Sequence, residues 1–195
     1  MPQVGIVSNS QFTVAGGGDY SFPRYMRTQR YYCGNVNATS FVAFAITANR
    51  LYAYPFLVST DSEDFDRIAF NVTAFVALSH GRCGIYADDG TLYPGDLILD
   101  GGEQDTDANG VKETVIAETL TQGLYWLAFL SSGAITVRSH VAGDAYPFLG
   151  VDNTLGAVSS FSWFVAQAYG ALPDPFTAGG SYSTAQTPLV ALRKT

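Results

Sequence analysis

The chain has 195 residues, enough for one domain that buries roughly 70% of its unfolded surface and too few for two ordinary ones. Hydrophobic residues make up 47% and charged residues 14%, with 20 Gly, 13 Phe and 12 Tyr, a balance that disfavours a charge-coated helical protein and suits sheet, turns and an oligomer. The net charge is -7, and most of the 17 acidic residues fall within Asp61–Asp66 and Asp88–Asp107, which argues against a nucleic-acid partner.

The first residues, from Met1 to Ser8, lack a charged stretch followed by a sustained apolar run, so no signal peptide is expected and synthesis in a cytoplasm follows. No uninterrupted apolar run approaches the roughly 18 residues of a membrane-spanning helix, so a soluble chain without membrane insertion is expected. Residues 1–35 carry Gly16-Gly17-Gly18, Pro23 and an Arg/Tyr cluster with no clear period, the features of an extended attachment or oligomerisation arm ahead of one β domain over 36–195. The arginines Arg24, Arg27 and Arg30 suit either acidic groups or a subunit interface. The interleaved Tyr25, Tyr31 and Tyr32 favour the interface, and with the low surface charge they predict a homotrimer.

From Phe41 onward the spacing is period two, which sends successive side chains to opposite faces of a sheet. Val42, Phe44 and Ile46 alternate before a turn at Ala48-Asn49-Arg50, and Leu51–Val58 resumes the pattern, so a hairpin is expected there, with Pro55 at an edge or bulge. Ile68, Phe70, Val72 and Ala74 mark a half-buried strand. Shorter strands are expected at Arg82–Ala87, Asp96–Asp100, Glu113–Glu118 and Ile135–Arg138, separated by Asp89-Gly90, Pro94-Gly95, Gly101-Gly102 and Asn109-Gly110 turns. Gly123–Leu130 is apolar on both faces and predicts a central, doubly covered strand. The one helical turn expected is Thr119–Gln122, and the last third offers strands at Phe161–Ala166 and Leu189–Leu192 around a loop through Leu172–Phe176.

Few residues suggest chemistry. His80 and His140 sit in turn-like contexts without a partner motif, no Gly-x-Ser-x-Gly elbow occurs, and the many carboxylates mark no acid pair, so no catalytic residue is assigned. Cys33 and Cys83 have no metal or redox spacing and are expected as buried free thiols. Asp105, Asp107 and Asn109 place oxygens at alternate positions before Gly110, like the opening of a calcium loop, but Ile116 stands where a bidentate acid belongs. The same residues fit an acidic hairpin loop turned by Asn-Gly, so no cofactor is expected beyond a calcium ion in the first case. Among the aromatics, Tyr146, Trp163 and Tyr169 are candidates to stack on sugar rings from loops.

The middle of the chain resembles a known module. Arg82-Cys83-Gly84-Ile85-Tyr86, Asp89-Gly90, Tyr93-Pro94-Gly95, Leu97-Ile98, Asp100-Gly101 and then Leu120–Trp126 with Gly123-Leu124-Tyr125-Trp126 follow an order found in phage tail-fibre and other virion surface proteins. Asn49–Phe56 and Asp66–Val72 resemble its opening strands, so the likeness covers about residues 40–140. The resemblance implies a jelly-roll-like antiparallel β-sandwich in the virion, serving assembly or attachment to host surface carbohydrate without catalysis. Other virion proteins would meet it through the arm. A tail-fibre or receptor-binding component is the leading expectation. Capsid decoration, cement or head fibre is the alternative, and a glycan-cleaving tail enzyme a minor one.

Overall fold

A computed structural model describes residues 26–34, 41–140, 148–151, 161–183 and 186–195. These form eleven strands in one hydrogen-bonded network, every pairing antiparallel and no helix among the described residues. In chain order they are β1 (Tyr31–Tyr32), β2 (Val42–Ala45), β3 (Arg50–Ala74), β4 (His80–Asp88), β5 (Pro94–Asp105), β6 (Gly110–Ser131), β7 (Thr136–His140), β8 (Ser162–Ala166), β9 (Ser181–Ser183), β10 (Thr187–Pro188) and β11 (Ala191–Lys194). The expected all-β sandwich is present.

Two long strands make both of its layers. β3 and β6 pair from Tyr52↔Phe129 to Val72↔Gly110, and the ladder breaks register between Val58 and Ser62, where β3 carries extra residues. Such a bulge bends a strand. The Arg50–Val58 half of β3 lies between β8 and the C-terminal half of β6, and β4 and β5 extend that layer. The Phe65–Ala74 half pairs with the N-terminal half of β6, with β11 and with β7. Side chains from both halves then meet: Phe56 contacts Phe65 at 5.8 Å between ring centres, and Phe70 contacts Phe129.

Period two explains why the first layer is buried on both sides. Tyr125, Leu127 and Phe129 enter the core between the layers with Tyr52, Phe56, Ile85 and Ile68. Their neighbours Trp126, Ala128 and Leu130 enter a second core with Leu51, Ala53, Tyr86, Leu172 and Phe176. The central strand expected at Gly123–Leu130 is therefore covered on each face, and Tyr125 and Trp126 point to opposite ones.

Three local expectations are corrected. Residues 42–58 do not form a hairpin: β2 pairs with β7, Val42 opposite Ser139, because Asn49 in the left-handed region (φ 56°) redirects the chain into β3 and its amide bonds the Ser131 carbonyl at 2.9 Å. Thr119–Gln122 is not a helical turn. It continues β6, with Thr119 and Thr121 facing Asp64 and Ser62 across the ladder. His80 and His140 are not in turns: one opens β4 and the other ends β7. Pro55 lies just beyond Ala53, the last β3 residue paired with β8, and so stands where that side of β3 has no β8 partner.

Of residues 1–35, only 26–34 are described, and they join the sandwich margin: Tyr31 and Tyr32 face Arg193 and Leu192, and the Gln29 amide bonds the Lys194 carbonyl at 2.9 Å.

Candidate functional site

The outer face of the first layer is strapped by residues 167–183. Gly84 is what lets the strap sit down. A Cβ there would lie 2.3 Å from Leu172 Cδ1 and 2.5 Å from the Leu99 carbonyl, so only glycine leaves room for Leu172 on β4. Polar bonds fix the rest. The Leu172 amide donates to Asp100 Oδ2 (3.0 Å), the Leu97 amide to Asp174 Oδ1 (3.0 Å), the Phe176 amide to the Gly95 carbonyl (2.9 Å) and the Tyr86 hydroxyl to the Pro173 carbonyl (2.9 Å). Tyr93 bridges strap and turn, donating to the Thr177 carbonyl (2.7 Å) and accepting from the Gly180 amide (2.9 Å). An irregular segment held this way presents its side chains from a fixed scaffold.

An aromatic group stands at each end of the strap. At one end Trp163 on β8 packs against Tyr182 on β9, ring centres 4.3 Å apart, and against Tyr93 at 4.8 Å. The Trp163 indole N–H is already bonded to the Leu92 carbonyl at 2.8 Å, so the ring is locked. Tyr182 is 54% exposed and Leu92 42%. A flat, immobilised aromatic face costs little side-chain entropy when a ligand stacks on it.

At the other end Tyr169 donates its hydroxyl to Glu103 Oε2 (3.0 Å), and its ring lies nearly parallel to His80, centres 6.4 Å apart. Burial first, and then the Glu103 carboxylate, push the Tyr169 phenol well above its ordinary range, so it remains a proton donor. Asp105 Oδ1 stands 3.0 Å from His80 Nδ1 and Glu103 Oε1 3.7 Å, while Arg82 holds Asp100 through Nη1 at 3.0 Å. Asp105 comes close to Nδ1, yet Nδ1 makes no hydrogen bond of good geometry. This end sets hydrogen-bonding and charged groups beside an aromatic ring.

The sequence-based candidates are thus separated. Trp163 and Tyr169 occupy opposite groups of the strap, and Tyr146 lies outside the described residues. Asp105 faces His80, whereas Asp107 and Asn109 are exposed on the β5–β6 turn, and among the described residues no cluster of three or more His, Cys, Asp or Glu could hold a metal ion. Arg27, Arg30 and Tyr31 are exposed at the β1 margin, with the Tyr31 hydroxyl bonded to Glu113, while Arg24 and Tyr25 lie outside the described residues. Tyr182 and Leu92 carried no sequence signal: a tyrosine between serines and a leucine in a turn reveal neither exposure nor stacking.

Both thiols are free, and burial raises their pKa, Cys33 to about 11 and Cys83 to about 12, so neither is poised as a thiolate nucleophile. On the opposite side, the outer face of the second layer has an apolar groove of about 460 Å³ walled by Tyr31, Phe41, Val111, Leu189 and Ala191, with Arg138 at its margin. No helix among the described residues is long and apolar enough to cross a membrane. No family model matches the chain, and no curated protein matches it.

Proposed function

We propose that this chain is a non-enzymatic structural protein of the bacteriophage virion surface, a tail-fibre or receptor-binding component that attaches to host carbohydrate through the aromatic ends of the strap. The observation that carries the reading is the Trp163–Tyr182 pair, a locked indole capped by a half-exposed tyrosine on a strand-built platform. The resemblance of residues 40–140 to virion surface modules supports the location. The polar group around Tyr169, His80 and Glu103 supplies the second contact that a chain of sugars would meet.

The test is binding of the purified full chain to host cells and to their surface polysaccharide. The reading expects binding that Tyr182→Ala and Trp163→Ala weaken, and antibodies against the chain that block adsorption. Absence of binding to cells and polysaccharide overturns it.

The groove on the second layer favours a second reading, capsid decoration or a head fibre, because an apolar exposed face suits contact with another protein. The position of the chain in a reconstruction of the particle separates the two. Capsid lattice points support decoration, and the tail tip supports attachment.

A further inference from the structure

A main-chain amide attacks the side chain before it most readily when that amide belongs to glycine, which adds no bulk beside the attacking nitrogen. The chain places glycine after an aspartate or asparagine at three points: Asp89-Gly90, Asp100-Gly101 and Asn109-Gly110. The fold treats the three differently.

Asp89 and Asp100 are held. Asp89 Oδ1 accepts from the Thr91 amide (2.7 Å) and hydroxyl (2.6 Å), and the Gly90 amide, which would have to attack, donates to Asp88 Oδ2 at 2.9 Å. Asp100 accepts from Arg82 Nη1 (3.0 Å), the Gly102 amide (2.9 Å) and the Leu172 amide (3.0 Å). Gly101 is pressed against β4, where a Cβ would lie 2.7 Å from the Cys83 carbonyl.

Asn109 is not held. The turn is anchored at Thr106, whose amide donates to the Ser79 carbonyl at 2.9 Å and whose hydroxyl meets Ser79 Oγ at 2.6 Å. The ladder resumes at Gly110, opposite Val72. Between these points Asp107, Ala108 and Asn109 are exposed, and the Asn109 carboxamide has no hydrogen-bond partner among the described residues. Gly110 has open space where a side chain would stand, with no atom within 4 Å.

We propose that Asn109 is a self-modification site, converted by the Gly110 amide to a succinimide and then to aspartate and isoaspartate. The Gly110 nitrogen gives up its proton and bonds to Asn109 Cγ, the Cγ–Nδ2 bond breaks, and ammonia leaves. One water then opens the ring. Attack at Cγ leaves aspartate in an ordinary main chain, whereas attack at the main-chain carbonyl leaves isoaspartate, with the chain running through the side-chain methylene. The sum is one water consumed and one ammonia released. Loss of ammonia makes the change one-way. It adds a carboxylate to the turn beside Asp105 and Asp107, and isoaspartate lengthens the β5–β6 connection by one carbon. Exposed loop tips are where such changes are tolerated, so the folded chain accumulates the product with age.

The test incubates the full chain at neutral pH beside synthetic peptides carrying each of the three pairs, which set the unconstrained rates. Samples are digested in acid and read by mass spectrometry, with electron-transfer fragmentation to tell isoaspartate from aspartate. Because a turn without internal bonds opens at little cost, Asn109 should gain one mass unit at a rate within about tenfold of its peptide. Isoaspartate should be among the products, Asp89 and Asp100 should isomerise far more slowly than their peptides, and Asn109→Gln should gain no mass there. Slowing of Asn109 beyond about tenfold, conversion without isoaspartate, or isomerisation of Asp89 or Asp100 at the peptide rate overturns the assignment.

Discussion

Phe70 and Phe129 meet edge to face with ring centres 4.8 Å apart, one from each layer of the sandwich. Both are at most 2% exposed. Replacing either by Ala removes a filled volume that the neighbouring strands cannot close, and each change should lower unfolding stability by about 3–5 kcal/mol in urea titrations. The double variant should cost less than the sum, with a coupling of about 0.5–1.5 kcal/mol for the lost ring pair.

Gly84 and Gly90 predict opposite outcomes for one substitution. Gly84→Ala drives a methyl into the Leu99 carbonyl and Leu172, and should destabilise by about 3 kcal/mol while loosening the strap and with it the Trp163–Tyr182 face. Gly90 has open space around it but a φ of +88°, so Gly90→Ala should cost only about 1 kcal/mol, from backbone strain. Thermal melts of the two variants separate crowding from conformation.

Trp126 is fully buried, and its indole N–H donates to Asp88 Oδ1 at 2.9 Å, while the other carboxylate oxygen accepts from the Gly90 amide. Asp88→Ala leaves the indole unpaired and should cost about 1–3 kcal/mol; Asp88→Asn keeps an acceptor and should cost less. Denaturant midpoints measured on both check the ordering.

The strands were legible where one face differs from the other, as at Ile68–Ala74, or where both are apolar, as at Gly123–Leu130. What could not be read was continuity through charge. Asp61–Asp66 has the composition of a loop, yet β3 runs through it because distant strands bring partners for its charges: Glu63 is 7% exposed and pairs with Lys194 of β11 at 2.7 Å, and the Thr119 hydroxyl of β6 bonds Asp64 at 2.7 Å. The same pairing turns Thr119–Gln122 from a helical turn into strand. At the two ends of the strap, Trp163 and Tyr169 stand out by residue type, whereas Tyr182, His80 and Glu103 join them only through contacts between separate segments of the chain.

Arg193 grips Asp66 through two bonds, Nε to Oδ1 at 2.8 Å and Nη2 to Oδ2 at 2.7 Å, clamping β11 to β3. These hydrogen bonds hold the Asp66 pKa below its ordinary value. For a carboxylate lowered on folding, the stabilisation is present above the unfolded pKa of about 3.9 and disappears as pH falls through the folded value. Asp66→Asn should therefore lower the melting temperature at pH 7 and flatten the decline below pH 4, read from melts between pH 7 and pH 2.

Because β3 and β6 each run through both layers, the two faces of the sandwich are joined by unbroken peptide backbone as well as by packing. Force entering one layer passes along β3 into the other through the bend between Val58 and Ser62. The molecule is a folded ribbon with no seam between its faces, and amide exchange should find both halves of the β3–β6 ladder opening together.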